Sequence, residues 1–100
     1  MKLVEQNAKG VFYRIKKTDD LKKISLQFLV PESLLIFEND LSNEVFCGQI
    51  LYIPHYNYKL YIVKPLESVE SVCKKFNLKK EDFIKKNKTD IVFDGQLVYI

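Results

Sequence analysis

Gly48-Gln49-Ile50-Leu51-Tyr52-Ile53-Pro54 has a counterpart at the end of the chain, Gly95-Gln96-Leu97-Val98-Tyr99-Ile100. In both copies a glycine turn feeds a run of aliphatic and aromatic residues, which reads as a short buried strand closing a structural unit. Two closing strands predict two openings, and the residues upstream of each copy supply them.

Displacing the sequence by 48 residues pairs Tyr13 with Tyr61, Ile15 with Val63, Lys16 with Lys64, Leu21 with Val69, Ile24 with Val72 and Ser25 with Cys73. The same register pairs Phe28 with Phe76, Val30 with Leu78, Leu35 with Phe83, Ile36 with Ile84 and Asn39 with Asn87. One residue lost in the following loop then brings Val45-Phe46 onto Val92-Phe93 and Tyr52-Ile53 onto Tyr99-Ile100. Size and chemistry persist at every expected core position, the mark of an internal repeat.

Within each copy the same four elements are expected. Phe12 to Ile15 is dense enough in apolar residues for a strand, and Thr18, Asp19 and Asp20 then offer turn and helix-capping chemistry. Leu21, Ile24, Ser25 and Phe28 fall at i, i+3, i+4 and i+7, one face of a helix that Val30-Pro31 should end. Pro31 suits the first turn of a second helix running to Phe37 and stopping near Asn39-Asp40. The fold class is therefore α+β: two tandem βααβ units, each a two-stranded antiparallel sheet with two helices on one face. The expected divisions are a leader over 1–10, a first unit over 11–54, a linker over 55–58 and a second unit over 59–100. A disulfide-free unit of this size is near the lower limit of independent stability, so the two should lean on each other. The aromatic linker His55-Tyr56-Asn57-Tyr58 favours a fixed orientation.

Composition narrows the function classes. Of the 100 residues 47% are hydrophobic and 29% charged, which describes a globular chain rather than a disordered one. No apolar run approaches the roughly 20 residues needed to span a bilayer, and no secretory apolar segment is visible near Met1. A cytoplasmic location is the expectation for the chain as written. Cys47, Cys73 and the single His55 have no metal-ligand spacing, so free thiols and no metal or cofactor are expected. No nucleophile with its base and no phosphate loop is apparent, which points away from an enzyme. Arg14 is the only arginine and no base-reading motif accompanies it, which argues against nucleic acid.

The pattern Tyr-x-(Ile/Val), a capped helix ending in an aromatic, a second helix ending in Asn, then Gly-Gln-x-(Leu/Val)-x-Ile resembles the LysM domain, twice over, across Tyr13 to Pro54 and Tyr61 to Ile100. The resemblance implies a non-catalytic βααβ fold that binds glycans containing N-acetylglucosamine, such as peptidoglycan or chitin. It implies a groove between the loop after the first strand and the loop before the last. In this chain those are Thr18, Asp19, Asp20 and Leu21 with Asn43, Glu44, Val45 and Phe46, then Leu66, Glu67, Ser68 and Val69 with Asp90, Ile91, Val92 and Phe93. The family usually carries Gly-Asp-Thr before its first helix. Thr18-Asp19-Asp20 and Leu66-Glu67-Ser68 stand there instead, so Thr18 or Leu66 is expected to narrow the groove or redirect the backbone.

Subtracting one unit from the other leaves four apolar-to-polar exchanges: Leu26 against Lys74, Leu29 against Asn77, Leu34 against Asp82 and Phe37 against Lys85. The fold does not require these four to be apolar. They are expected to form a patch across the first unit's helices, either covered by the second unit, scattered in solvent, or offered to a homodimer or protein partner. The lysines of the second unit, from Lys74 to Lys88, read first as a solvated face and second as a site for an acidic partner. Two functions follow: a glycan-binding module, or a degenerate LysM-like assembly module using the patch. A composition rich in Lys, Ile and Asn suits a low-GC, spore-forming host, where LysM proteins without signal segments resemble spore-coat assembly factors. A cell-wall or spore-surface location is the corresponding alternative to the cytoplasm.

Overall fold

The structure, a computed structural model, describes residues 10–42 and 44–100. Asn43 and all of the expected leader except Gly10 lie outside the described residues. The elements are β1 (Val11–Arg14), α1 (Leu21–Phe28), α2 (Glu32–Glu38), β2 (Ile50–Ile53), β3 (Leu60–Ile62), α3 (Val69–Phe76), α4 (Lys80–Asn87) and β4 (Leu97–Tyr99). β1 pairs antiparallel with β2, Val11 facing Ile53 and Arg14 facing Ile50, and β3 pairs with β4 from Leu60–Tyr99 to Ile62–Leu97. The fold is thus α+β with two separate two-stranded sheets and four helices, as two βααβ units require.

Both units share the same loop connections. Ile15 N–H donates to Gln49 O and Gly48 N–H to Ile15 O, and Val63 with Gln96 and Gly95 repeats both bonds. Asn39 bonds the backbone of the closing strand rather than of the loop that follows it. Its Nδ2 donates to Leu35 O and Tyr52 O while its Oδ1 accepts from Tyr52 N–H. Asn87 makes the same three bonds to Phe83 O, Tyr99 O and Tyr99 N–H, all buried.

α1 ends at Phe28, before the Val30-Pro31 stop that the sequence suggested. Leu29 turns left-handed (φ 58°), and its N–H and that of Val30 both donate to Ser25 O. Asn77 does the same at the end of α3 (φ 57°). Asparagine adopts this conformation at lower cost than leucine. The Leu29–Asn77 exchange therefore concerns a backbone cap, and Leu29 is exposed because the cap turns it outward.

The cores are two. Ile15, Ile24, Val30, Leu34, Leu35, Leu51 and Ile53 form the first, joined by Tyr99 from the second unit. Val63, Val69, Val72, Cys73, Phe83 and Val98 form the second. Cys73 stands where the first unit has Ser25, whose Oγ donates to Val30 O, and burial raises the Cys73 thiol above its ordinary pKa.

Leu34 is only 1% exposed, which corrects the expected four-residue patch. Next to it, Ser33 Oγ donates to Asn87 O across the unit boundary at 2.5 Å. The remaining members are separated: Leu26 lines a cleft, Leu29 caps a helix, and Phe37 lies under Lys88 Nζ at 4.8 Å from its ring centre. Across the junction Tyr56 and Tyr58 stack at 5.9 Å and both meet the edge or face of Tyr99. Tyr52 and Tyr61 pack within their own units, against Phe12 and Phe76.

Two stability outcomes follow. Asn87→Ala leaves the buried Tyr99 N–H and C=O without partners, at about 1–3 kcal/mol each, so chemical denaturation should show a loss of about 3 kcal/mol or more; a loss below about 1 kcal/mol contradicts this role. Leu29→Asn, which copies the second unit, should raise stability by about 0.5–1 kcal/mol by relieving the left-handed leucine, and an unchanged midpoint would count against strain there.

Candidate functional site

The first unit carries an open groove of about 620 Å³ between the start of α1 and the α2–β2 loop. One wall is Asp19, Asp20 and Leu21, the other is Leu41, Ser42, Glu44 and Val45, and Ile36 of α2 lies between them. Of the first-unit residues expected here, Asp19, Asp20, Leu21, Glu44 and Val45 are brought together, Thr18 stays on the exposed turn beside them, and Asn43 is outside the described residues. Sequence reasoning missed Ile36, Leu41 and Ser42. Ile36 aligned with Ile84 and read as core, yet it is exposed.

The polar side chains of the groove already have structural partners. Asp20 is the N-cap of α1, its Oδ1 accepting from Lys23 N–H at 2.8 Å. Asp19 does not cap the helix. Its Oδ2 accepts from Tyr13 Oη at 2.6 Å and from Lys16 N–H at 2.8 Å, closing the turn after β1. The Tyr13 bond, and then the Lys16 amide, hold the Asp19 carboxyl below its ordinary pKa. What remains for a ligand is apolar surface from Leu21, Ile36, Leu41 and Val45, together with loop backbone groups, the Ser42 hydroxyl and the carboxylates' unused lone pairs.

The second unit places its expected residues differently. Glu67 repeats the turn lock: Oε1 accepts from Lys64 N–H and Tyr61 Oη, both at 2.7 Å. Lys75, absent from the first unit where Gln27 stands, adds an ion pair to Glu67 Oε2 at 2.9 Å. Ser68 and Ser71 form a reciprocal capping box at the start of α3. Val69, 2% exposed, belongs to the core and is not a groove residue. Val92 packs against that core, Asp90 is exposed, and Ile91 opens onto a cleft shared with the first unit.

Leu66 resolves the missing glycine. It takes the left-handed conformation itself (φ 68°) at the turn after Pro65, where a type II turn would place glycine. Its side chain is fully exposed at 104% and points to solvent instead of filling a groove. Thr18 is not in the left-handed region, so the two turns have different backbones.

Glu67 makes one pH dependence explicit. The Lys64 amide first, then Lys75 and Tyr61, lower its carboxyl from the ordinary 4.5 to about 2. The folded state therefore favours the charged form, and this contribution is full above the unfolded pKa and vanishes as pH falls from about 4.5 toward about 2. Glu67→Gln should melt below the parent protein at neutral pH, with the difference closing as pH approaches about 2. A difference that stays constant across that range would rule out the ionised staple.

Residues 13–54 match the sequence model of the LysM domain. No curated protein matches the chain. Among solved structures, the Bacillus megaterium QM B1551 spore cortex-lytic enzyme SleL aligns over 92% of this chain and 22% of its own, with 24% identity and a TM-score of 0.46. The Bacillus cereus spore cortex-lytic enzyme SleL aligns over the same shares, with 18% identity and a TM-score of 0.45. This chain thus spans about a fifth of those enzymes' length. The family match lies within the first unit, the one that carries the open groove.

Proposed function

We propose that the chain is a non-catalytic carbohydrate-binding module for glycans containing N-acetylglucosamine, of the peptidoglycan or chitin type, and that the first unit's groove is its main contact. One observation carries the reading: within the segment that matches the LysM domain, the loops at Asp19–Leu21 and at Glu44 and Val45 flank a groove open to solvent. Its apolar floor suits the methyl of an N-acetyl group, and loop amides and carbonyls suit the amide and hydroxyls. From the second unit, Ile91 lines the neighbouring cleft. Such a ligand belongs to a cell wall or spore surface.

A protein-assembly role is the second reading, favoured by the exposed Leu29 and Phe37 on the first unit's helices and by Phe12, 75% exposed, on its outer sheet face. A homodimer or protein partner would use these residues. Among the described residues no helix is long and apolar enough to cross a membrane.

Sedimentation with insoluble chitin and insoluble peptidoglycan tests the proposal. The protein should pellet with at least one, and Ser42→Trp, which fills the groove from an exposed loop position, should weaken retention about tenfold or more, equivalent to about 1.4 kcal/mol. Absence of retention alongside a concentration-dependent dimer would instead favour assembly.

A further inference from the structure

A second depression, about 260 Å³, lies between the units. The first unit supplies Leu26, from α1, and Ile36, from α2; the second supplies Ile91, Phe93 and Leu97 from its closing loop and strand. Ile36 also lines the first unit's groove, so the two depressions meet at that side chain. We propose that groove and cleft together form one extended site for a single unbranched, uncharged N-acetylglucosamine chain longer than the groove alone can hold. This inference rests on the glycan reading above.

The cleft has the makeup of a sugar subsite. Its Ser33 and Thr89 hydroxyls are occupied, bonded to Asn87 O and to the Ile91 backbone, so the interior is largely apolar. Phe93 is two-thirds exposed and offers a ring to the C–H face of a sugar. Lys22, Glu32 and Asp94 also line the cleft and can bond hydroxyls, and Lys22 reaches across it to within 3.5 Å of where a side chain on Gly95 would begin.

Charge sets the class of chain. Asp19, Asp20 and Glu44 line the groove and Glu32 and Asp94 the cleft, against Lys22 alone among the basic residues lining either. This acidic lining sits within a protein whose net charge is +3. A glycan bearing carboxylates on its substituents would meet repulsion along the whole path, and a neutral, unsubstituted chain would not. Only the first unit has an apolar residue at position 26; the second has Lys74 there, which would put a charge into such a cleft.

Calorimetry with N-acetylglucosamine oligomers of four and eight sugars tests the extended site. The octamer should bind one-to-one and more than tenfold tighter than the tetramer, beyond the roughly fivefold that sliding registers alone would give. Leu26→Lys and Phe93→Ala should each bring octamer affinity down to the roughly fivefold register advantage over the tetramer while leaving the tetramer unchanged. Leu26→Lys should keep the parent melting temperature, since the second unit carries Lys at that position; Phe93→Ala, exposed in the parent, serves if it does not. An octamer no more than about fivefold tighter than the tetramer, two proteins per octamer, or variants that weaken both oligomers equally would overturn the extended site and leave the groove standing. Failure of both oligomers to bind would overturn the site together with the uncharged-glycan reading, whereas retention on insoluble peptidoglycan in that case would keep the glycan reading and overturn only this inference.

Discussion

In each unit one asparagine side chain holds the second helix to the closing strand. The amide of Asn39 serves both polar backbone groups of Tyr52 and also returns to Leu35 O, and Asn87 does the same for Tyr99 and Phe83. A two-stranded sheet leaves each strand with an edge whose amides and carbonyls need partners once helices and loops cover it. A primary amide is the side chain that can both donate and accept there, with a second donor left for its own helix. Everything upstream of the strand is placed by that anchor, because the strand fixes the loop and the loop forms one wall of the groove.

The units have the same fold and unequal surroundings. In β2 the core-facing residues are Leu51 and Ile53, while Ile50 remains exposed on the other face. In β4 all three residues are buried, because the outer face, Leu97 and Tyr99, is covered by the first unit and by the linker tyrosines. The first unit's helices meet the second unit at its sheet and at its second helix: Tyr99 joins the first core, Ser33 bonds Asn87 O and Lys88 lies over Phe37. The second unit carries Lys74, Asp82 and Lys85 where the first has Leu26, Leu34 and Phe37, and these three side chains are exposed. The cleft exists because this contact is incomplete near Ile91 and Phe93.

Much of the fold was legible in one sequence because the repeat supplied an internal comparison. Paired positions such as Ile24 with Val72 and Asn39 with Asn87 reported which residues the fold requires, and helical spacing assigned their faces. Boundaries were less legible. The end of α1 depends on Leu29 adopting a left-handed conformation that leucine disfavours, which no propensity argument predicts. The groove was read by position from the resemblance, and Asp19, Asp20 and Val45 do line a depression there. Nothing in the sequence separated Asp19, a turn lock, from Asp20, a cap, since both residue types suit both tasks.

The sequence by itself determined the repeat, the βααβ order and the paired cores, because these depend on local period and on residue chemistry compared between copies. Tertiary structure alone decided which apolar residues are surface and which are interface. Leu34 and Leu29 look alike in the alignment. Yet Leu34 is buried in the core that Tyr99 joins, and Leu29 stands outside because its backbone turns it away. The same holds for Ile36, which the alignment files with the core and the packing leaves open between groove and cleft. Burial is a property of where two units meet, and that meeting is encoded in no single segment.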